Sequence, residues 1–481
     1  MRKTFVSNLI LLVAVNLLVK PFYLLGIEAE IQNRTGPAIF GSYFALINFS
    51  FLLNVLPDMG VTNWNTRSIA GRPELLTQRL PVLLSLRGLL SIAYLIVIMC
   101  CGMAFGYSSS QLGVLALLAI NQILASAILF MRSNLAGLHL FRQDSLFSVL
   151  DRALLVIAMA ALLWIPEHKE FQIEWLVWGQ TAAYACTLAV AFVFVLRHTQ
   201  SMRIRFDRAL VLGALRASFP YALLILISAI SLRIDGVLLE RLRSAESAGH
   251  YAMGFRFFDA VTMIAFLFAS LLLPIFARMH SRREAIAPLL GTAFRLMAFG
   301  AWMVMLYGLA WSSEILHLIY DRPSEEAIAS FRFLMAGCAA FSMQYVFGTL
   351  LTAMGELRTL IRIAVVALGV NIAVNLLLIP SHGAVGSAVA NVAAQGIALV
   401  LQIVAVHRQI RAGLTTDYTR AAAFVLVTAA MMAAFLFGPD TIKQLPFTYK
   451  APVFLSLSLL VAIGTRVLDF RAFLNLLRQR E

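Results

Sequence analysis

Residues 371–395 read NIAVNLLLIPSHGAVGSAVANVAAQ, an apolar run that is interrupted once and then resumes. The interruption is PSHG (380–383), where proline removes a backbone donor and glycine permits a sharp turn. Small residues beyond the turn, such as Gly386, would let two helices approach closely. The amides of Asn371, Asn375 and Asn391 would hydrogen-bond between the helices. The stretch therefore predicts a helical hairpin, buried either in a soluble core or in a membrane.

The composition of the whole chain decides between these two settings. Of its 481 residues, 61% are hydrophobic and only 13% are charged, which is too little polar surface to cover soluble domains. The mean hydropathy is +0.85. Apolar runs of about 20 residues, the length that crosses the hydrocarbon layer, recur throughout the chain. We therefore expect an all-α integral membrane protein.

The apolar runs predict about fourteen transmembrane helices joined by short connections. Their predicted bounds are 6–26, 36–57, 80–105, 112–134, 146–165, 173–196, 213–239, 249–277, 286–311, 328–353, 361–380, 383–406, 419–438 and 450–467. The first run begins like a signal peptide but lacks the small-residue cleavage motif, so it is kept as a span.

The positions of lysine and arginine predict the orientation of these helices. Both residues are enriched in cytoplasmic loops. With the N-terminus in the cytoplasm, the connections after even-numbered helices should be basic, and they contain Arg203, Arg205 and Arg283 among others. Connections after odd-numbered helices are acidic, for example at Glu28 and Glu325. We predict that both termini are cytoplasmic, so that the net charge of +14 reflects topology and not nucleic-acid binding.

Weak internal similarity predicts two related halves. The motif G-x-Y opens both the second helix (41–43) and the eighth (249–251), and a proline–arginine spacing is shared by the third and ninth helices. Because six helices separate the copies, both copies run in the same direction. We predict two parallel six-helix lobes, 1–208 and 209–412, and a terminal helix pair with a basic tail, 413–481.

Four segments carry a resemblance to one family. They are NIAVNLLLIPSHGAVGSAVAN (371–391), RIDGVLLERLRSAESAGHYAMGFRFFD (233–259), LLPIFAR (272–278) and PDMGVTNWNTRSIA (57–70). Together they resemble the Wzx-type flippases of the multidrug/oligosaccharidyl-lipid/polysaccharide exporter superfamily, over nearly the whole chain. His382 departs from the family pattern, in which an aromatic residue is usual at this place.

The resemblance implies a function. Such a flippase carries an undecaprenyl-diphosphate-linked oligosaccharide across the bacterial inner membrane by alternating access of a cavity between its lobes, for O-antigen, exopolysaccharide or a related surface polysaccharide. Expected partners are this lipid-linked oligosaccharide, membrane lipids, and a polysaccharide polymerase and chain-length regulator of the same pathway.

Ionisable residues inside the predicted spans are the candidates for a functional site, because charges are costly in a bilayer. The candidate substrate-binding cations are Lys20, Arg87, Arg233, Arg256 and Arg295. A net positive cavity would suit a diphosphate, which arginine binds with two hydrogen bonds and lysine as a point charge. Arg87 and Arg295 could instead extend toward cytoplasmic phosphates, and Arg256 could pair with Asp259 one turn away. Asp235 and Asp259 are the candidates for coupling to H⁺ or Na⁺.

Other function classes fit the sequence less well. There is no Walker-type glycine loop, metal-ligand spacing or nucleophile with a base, so we expect a transporter without a bound cofactor and not an enzyme. The nearest alternative is a lipid II flippase of the MurJ type, which shares the architecture and the charge pattern. The excess of intramembrane cations disfavours a cation-coupled multidrug exporter, and their cost disfavours a non-transporting assembly factor.

Overall fold

The computed structural model describes residues 16, 18–72, 74–164, 171–199, 207–410, 415–439 and 445–468. All regular secondary structure within these ranges is helical. The start of the predicted first span and the basic tail after residue 468 lie outside the described residues.

Twelve of the described helices are long and apolar enough to cross a membrane. Two of the twelve are broken at a glycine with positive φ: Leu18–Leu52 at Gly36 (φ 79°) and Leu357–Ile410 at Gly383 (φ 51°). The 54 residues of the second would measure about 80 Å as one straight helix, against a hydrocarbon thickness of about 30 Å. Counting each broken helix as two spans gives fourteen, which confirms the predicted fold class.

We number these spans α1 to α14 in chain order. Their bounds are α1 (18–35), α2 (37–52), α3 (Leu75–Ala104), α4 (Ser109–Gly137), α5 (Phe141–Trp164), α6 (Ile173–Leu196), α7 (Arg208–Leu242), α8 (Ala245–Ser281), α9 (Ala287–Ala310), α10 (Glu325–Ala353), α11 (357–382), α12 (384–410), α13 (Thr415–Phe437) and α14 (Phe447–Gly464). Two short helices, Val61–Gly71 and Ser312–His317, lie in connections.

The predicted hairpin is α11–α12, and its turn is held by a carboxylate. Glu326 Oε1 accepts a hydrogen bond from the Ala384 amide at 2.7 Å, at the N-terminus of α12, where a negative charge is favourable. Asn375 donates to Asn371 within α11, and hydrogen bonds of the asparagines between helices stay a prediction. A side-chain amide that does bond between helices is Gln344 of α10, which donates to Gln395 of α12 at 2.9 Å.

The chain forms two compact units, Met1–Ala252 and Met253–Glu481. The first holds α1 to α7 and the first residues of α8; the second holds the rest. Within the second unit, the terminal pair packs on α9 through Trp302, which donates to Thr428 at 2.8 Å, and Tyr307, which donates to the Ala451 carbonyl at 2.5 Å. The division into lobes 1–208 and 209–412 with a separate terminal pair stays a prediction.

Candidate functional site

Lys20 lies near the start of α1 and is half-buried. Its charged neighbours come from two other helices of the first unit: Arg152 and Asp151 of α5, and Arg132 of α4. Arg132 is paired with Asp144 at 2.8 Å, so its charge is largely balanced. Within the described part of the chain, no side chain accepts a hydrogen bond from the Lys20 ammonium. Arg152 packs on the ring of Tyr23, one turn from Lys20, so two positive charges and the Asp151 carboxylate share this part of a membrane-spanning region.

Two tyrosine rings hold the Arg152 guanidinium. Its central carbon lies 4.8 Å from the ring centroid of Tyr23 and 5.6 Å from that of Tyr184, within the range of cation–π attraction. Its Nε lies 3.9 Å from Asp151 Oδ2, which is too long for a hydrogen bond. The aromatic faces thus orient Arg152 while leaving its N–H groups able to bond to an anion.

A buried acidic residue lies beyond the hydroxyl of Tyr23. That hydroxyl donates to Glu28 Oε1 at 2.6 Å, and Gln180 of α6 donates to the hydroxyl oxygens of Tyr23 and Tyr43 at 3.1 and 3.0 Å. The prediction that Glu28 lies in an external loop is wrong, because α1 continues to residue 35 and Glu28 is 2% exposed. Eight residues along α1 separate it from Lys20 by about 12 Å. Glu28 also interacts electrostatically with Arg152, so this network holds charges of both signs.

The structure places Arg87 of α3 in a saturated network. Its Nη1 bonds to Asp58 and donates to Thr62 at 2.9 Å, while its Nη2 donates to the Ser126 hydroxyl and carbonyl at 2.6 and 2.8 Å. The guanidinium also lies 4.7 Å from the ring centroid of Phe130. Arg87 is 5% exposed and ties the α2–α3 connection to α3 and α4, an arrangement that favours a structural role.

Arg233 and Asp235 of α7 lie in a third environment. Arg233 is half-buried, 5.1 Å from the ring centroid of Phe51 in α2. Asp235 is 1% exposed and accepts a hydrogen bond from the Tyr251 hydroxyl at 2.8 Å. Gly236 beside it faces Phe44, whose ring carbons would lie about 2.8 Å from an added Cβ. These contacts hold α7 against α2 and the first turns of α8.

The remaining candidates belong to the second unit. Arg256 of α8 and Arg295 of α9 are buried, and Arg295 Nη2 donates to Thr292 at 3.2 Å. Asp259 is half-buried and interacts electrostatically with Tyr345 and Cys338 of α10. A pair between Arg256 and Asp259 stays a prediction, as does coupling to an ion at Asp235 or Asp259.

Arg152 is the residue that sequence reasoning missed. A predicted span beginning at 146 puts it near a helix end, but α5 begins at Phe141 and Arg152 is the twelfth of its 24 residues. The available signal was the charged pair in the otherwise apolar run FSVLDRALLV (147–156). Over the described residues, no group of three or more His, Cys, Asp or Glu is placed to hold a metal ion.

Known structures share this fold. The lipid II flippase MurJ in an inward closed conformation superposes with a TM-score of 0.73 and 14% identity, over 97% of this chain and 100% of that chain. An inward-facing multidrug-resistance MATE transporter gives a TM-score of 0.61 and 13% identity, over 84% and 98%. A transporter of the MOP superfamily from Pyrococcus furiosus, whose binding pocket is described as having reverse polarity, gives 0.56 and 14%, over 87% and 94%. At these identities the likeness concerns the fold.

Sequence comparison identifies the family. No curated protein matches the chain. The family model described as polysaccharide biosynthesis protein matches residues 5–280, more than half of the chain. This multi-pass membrane protein therefore belongs to the polysaccharide biosynthesis protein family.

Proposed function

We propose that the chain is a flippase that moves a polyprenyl-diphosphate-linked oligosaccharide across the bacterial inner membrane for surface polysaccharide synthesis. Membership of the polysaccharide biosynthesis family and the fold shared with lipid and drug transporters support a transporter of this kind. The observation that carries the proposal is the juxtaposition of Lys20 and Arg152 on membrane-spanning helices of the first unit, where Arg152 packs on Tyr23 one turn from Lys20.

The chemistry of these two cations suits a diphosphate. Two like charges in a membrane-embedded site repel one another and are costly to desolvate, and an anion with two charged groups offsets both penalties. Arg152 offers a planar fork of N–H donors that matches phosphate oxygens, and Lys20 offers a mobile point charge. Tyr23 and Tyr184 fix the guanidinium, so that less conformational freedom is lost when the anion binds.

The rest of the cycle follows from this assignment. The diphosphate would bind at Lys20 and Arg152 while the prenyl tail stays in lipid, and alternating access would carry the sugars across. Coupling to H⁺ or Na⁺ would supply the energy, with Asp235 and Asp259 as the candidate residues. A polysaccharide polymerase and a chain-length regulator would use the product.

The second candidate is a lipid II flippase. Its support is the fold shared with MurJ over 97% of the chain, and its substrate also carries a diphosphate. A multidrug exporter for cations is a poorer fit, because Lys20 and Arg152 would repel such substrates.

The test is complementation of a deletion strain, with lipids measured in inner-membrane extracts. Deletion should cause undecaprenyl-diphosphate-linked oligosaccharide to accumulate, and the wild-type gene should clear it. Lys20→Gln and Arg152→Gln should each slow this clearance by about tenfold or more, because each removes a charge-assisted bond of about 1.5–3 kcal/mol. Arg216→Gln is the matched control, since Arg216 is an exposed arginine of α7.

The alternatives give different results in the same assay. Accumulation of lipid II in place of the oligosaccharide would favour the second candidate. Unchanged lipids together with reduced dye efflux would contradict both flippase functions and favour an exporter.

A further inference from the structure

A row of aromatic rings joins α8 and α10 in the second unit. The ring of Phe258 lies 5.5 Å from that of Phe341, which lies 5.2 Å from that of Tyr345, which lies 6.2 Å from that of Phe266. Phe258 is 1% exposed, Phe341 and Tyr345 are half-buried, and Phe266 is 58% exposed. The row therefore runs from the core of the unit to its surface.

Asp259 lies beside this row. It follows Phe258 directly in α8 and precedes Phe266 by seven residues, two turns along the same face. The carboxylate is half-buried and interacts electrostatically with Tyr345. A carboxylate on a membrane-spanning helix is expected to face protein or a water-filled cavity and not lipid.

This combination matches the chemistry of a carbohydrate. A sugar ring has an apolar face of C–H groups, which packs on an aromatic ring, and a rim of hydroxyl groups, which donate to a carboxylate in charge-assisted bonds. A prenyl chain would contact the rings but gain nothing from Asp259. A diphosphate would be repelled by it. Of the three parts of a lipid-linked oligosaccharide, only the sugars fit both features.

We propose that Asp259, Phe341 and Tyr345 form a carbohydrate subsite that contacts the oligosaccharide of the lipid-linked substrate, which leaves Asp235 as the candidate for ion coupling. This assignment rests on the proposed function, because the sugars that it would bind are those of the proposed lipid-linked substrate. Under this assignment, different substitutions would weaken recognition of the diphosphate and recognition of the sugars.

The experiment measures binding of two lipids to the purified full-length chain in nanodiscs. One probe is the lipid-linked oligosaccharide that accumulates in the deletion strain, and the other is undecaprenyl diphosphate without sugars. Asp259→Asn and Tyr345→Leu should each weaken binding of the first probe by about tenfold and leave the second unchanged, since each removes contacts to the sugar alone. Glu174→Gln and Tyr449→Leu, at exposed positions, are the matched controls.

Two results would overturn the subsite. One is a wild-type preference for the glycosylated probe that both variants retain. The other is an equal loss for both probes, which is the result if Asp259 serves only as an ion-pair partner that keeps α8 folded. If no lipid-linked oligosaccharide accumulates on deletion, that result alone contradicts the proposed function. The subsite is then contradicted as well, before any binding is measured.

Discussion

At the scale of the residue, the role of an intramembrane cation depends on how many of its donors are already occupied. Arg87 has both terminal nitrogens bonded to protein acceptors and a ring against its face. The charged neighbours of Lys20 include Arg152, Asp151 and Arg132. The first arrangement is self-sufficient, whereas the second is the one we propose for binding an anion. Both residues look alike in the sequence, because the partner Asp58 is 29 positions away from Arg87.

The pair formed by Arg87 and Asp58 gives a stability prediction. Asp58→Asn removes the charge that balances a guanidinium that is only 6% exposed. It should lower the free energy of unfolding by about 3 kcal/mol, the loss expected when one partner of a buried ion pair is removed. The double variant Asp58→Asn with Arg87→Met should lose less than the sum of the two single variants, because no unpaired charge is left.

Unfolding of the purified protein by SDS titration measures these differences. Arg216→Met is the control for replacing an exposed arginine and should change stability by less than about 0.5 kcal/mol. Strictly additive losses in the double variant would show that Arg87 and Asp58 act independently.

At the scale of the element, two glycines that share a repeated motif bring α2 and α8 into backbone contact. A Cβ added at Gly41 would lie 1.8 Å from the Ala245 carbonyl oxygen, and one added at Gly249 would lie 2.0 Å from the Pro37 carbonyl oxygen. Gln32 also donates to the Gly249 carbonyl at 2.8 Å. The G-x-Y similarity thus marks the places where the helices touch, at the ends predicted to face the periplasm.

Gly41→Ala and Gly249→Ala should therefore force these two helix ends apart. We expect both variants to lose thermal stability and to fail in complementation. The control is Gly88→Ala in α3, where nothing lies within 4 Å of an added Cβ. That variant should be neutral or more stable, since alanine favours a helix by up to about 1 kcal/mol over glycine. Equal stability of the Gly41 and Gly88 variants would contradict the contact.

The elements also show how far a sequence predicts this fold. The number of spans and the hairpin at 380–383 follow from apolar runs and turn residues, and both are confirmed. The ends of α1 and α5 were not predictable in this way, because each helix continues through polar residues that are stabilised by distant partners. Glu28 accepts a hydrogen bond from Tyr23, which is itself bonded to Gln180 of α6. Asp144, near the start of α5, pairs with Arg132 of α4. Hydropathy reports the apolar length of a helix but not these contacts, so the candidate site was located only in part.

At the scale of the whole molecule, the fourteen-span topology rests on two independent arguments. Alternation of basic and acidic connections predicts that both termini are cytoplasmic. The length of Leu357–Ile410, with its break at Gly383, indicates that it crosses the bilayer twice, which puts the turn and the end of α12 on opposite sides. Both arguments assign opposite sides of the membrane to His382 in the turn and Arg408 near the end of α12, and both residues are exposed.

This assignment is tested with a membrane-impermeant thiol reagent on intact spheroplasts, in a chain whose four cysteines are replaced by alanine. His382→Cys should be labelled at once, because the turn faces the periplasm. Arg408→Cys should be labelled only after the membrane is permeabilised, which makes it the matched control. A single crossing by Leu357–Ile410 would instead bury residue 382 in the bilayer, where it would stay unlabelled before and after permeabilisation. Labelling of residue 408 from outside, with residue 382 labelled only after permeabilisation, would invert the orientation of α12 and with it the sidedness inferred from the arginine pattern. Labelling of both variants from outside would contradict a crossing by α12.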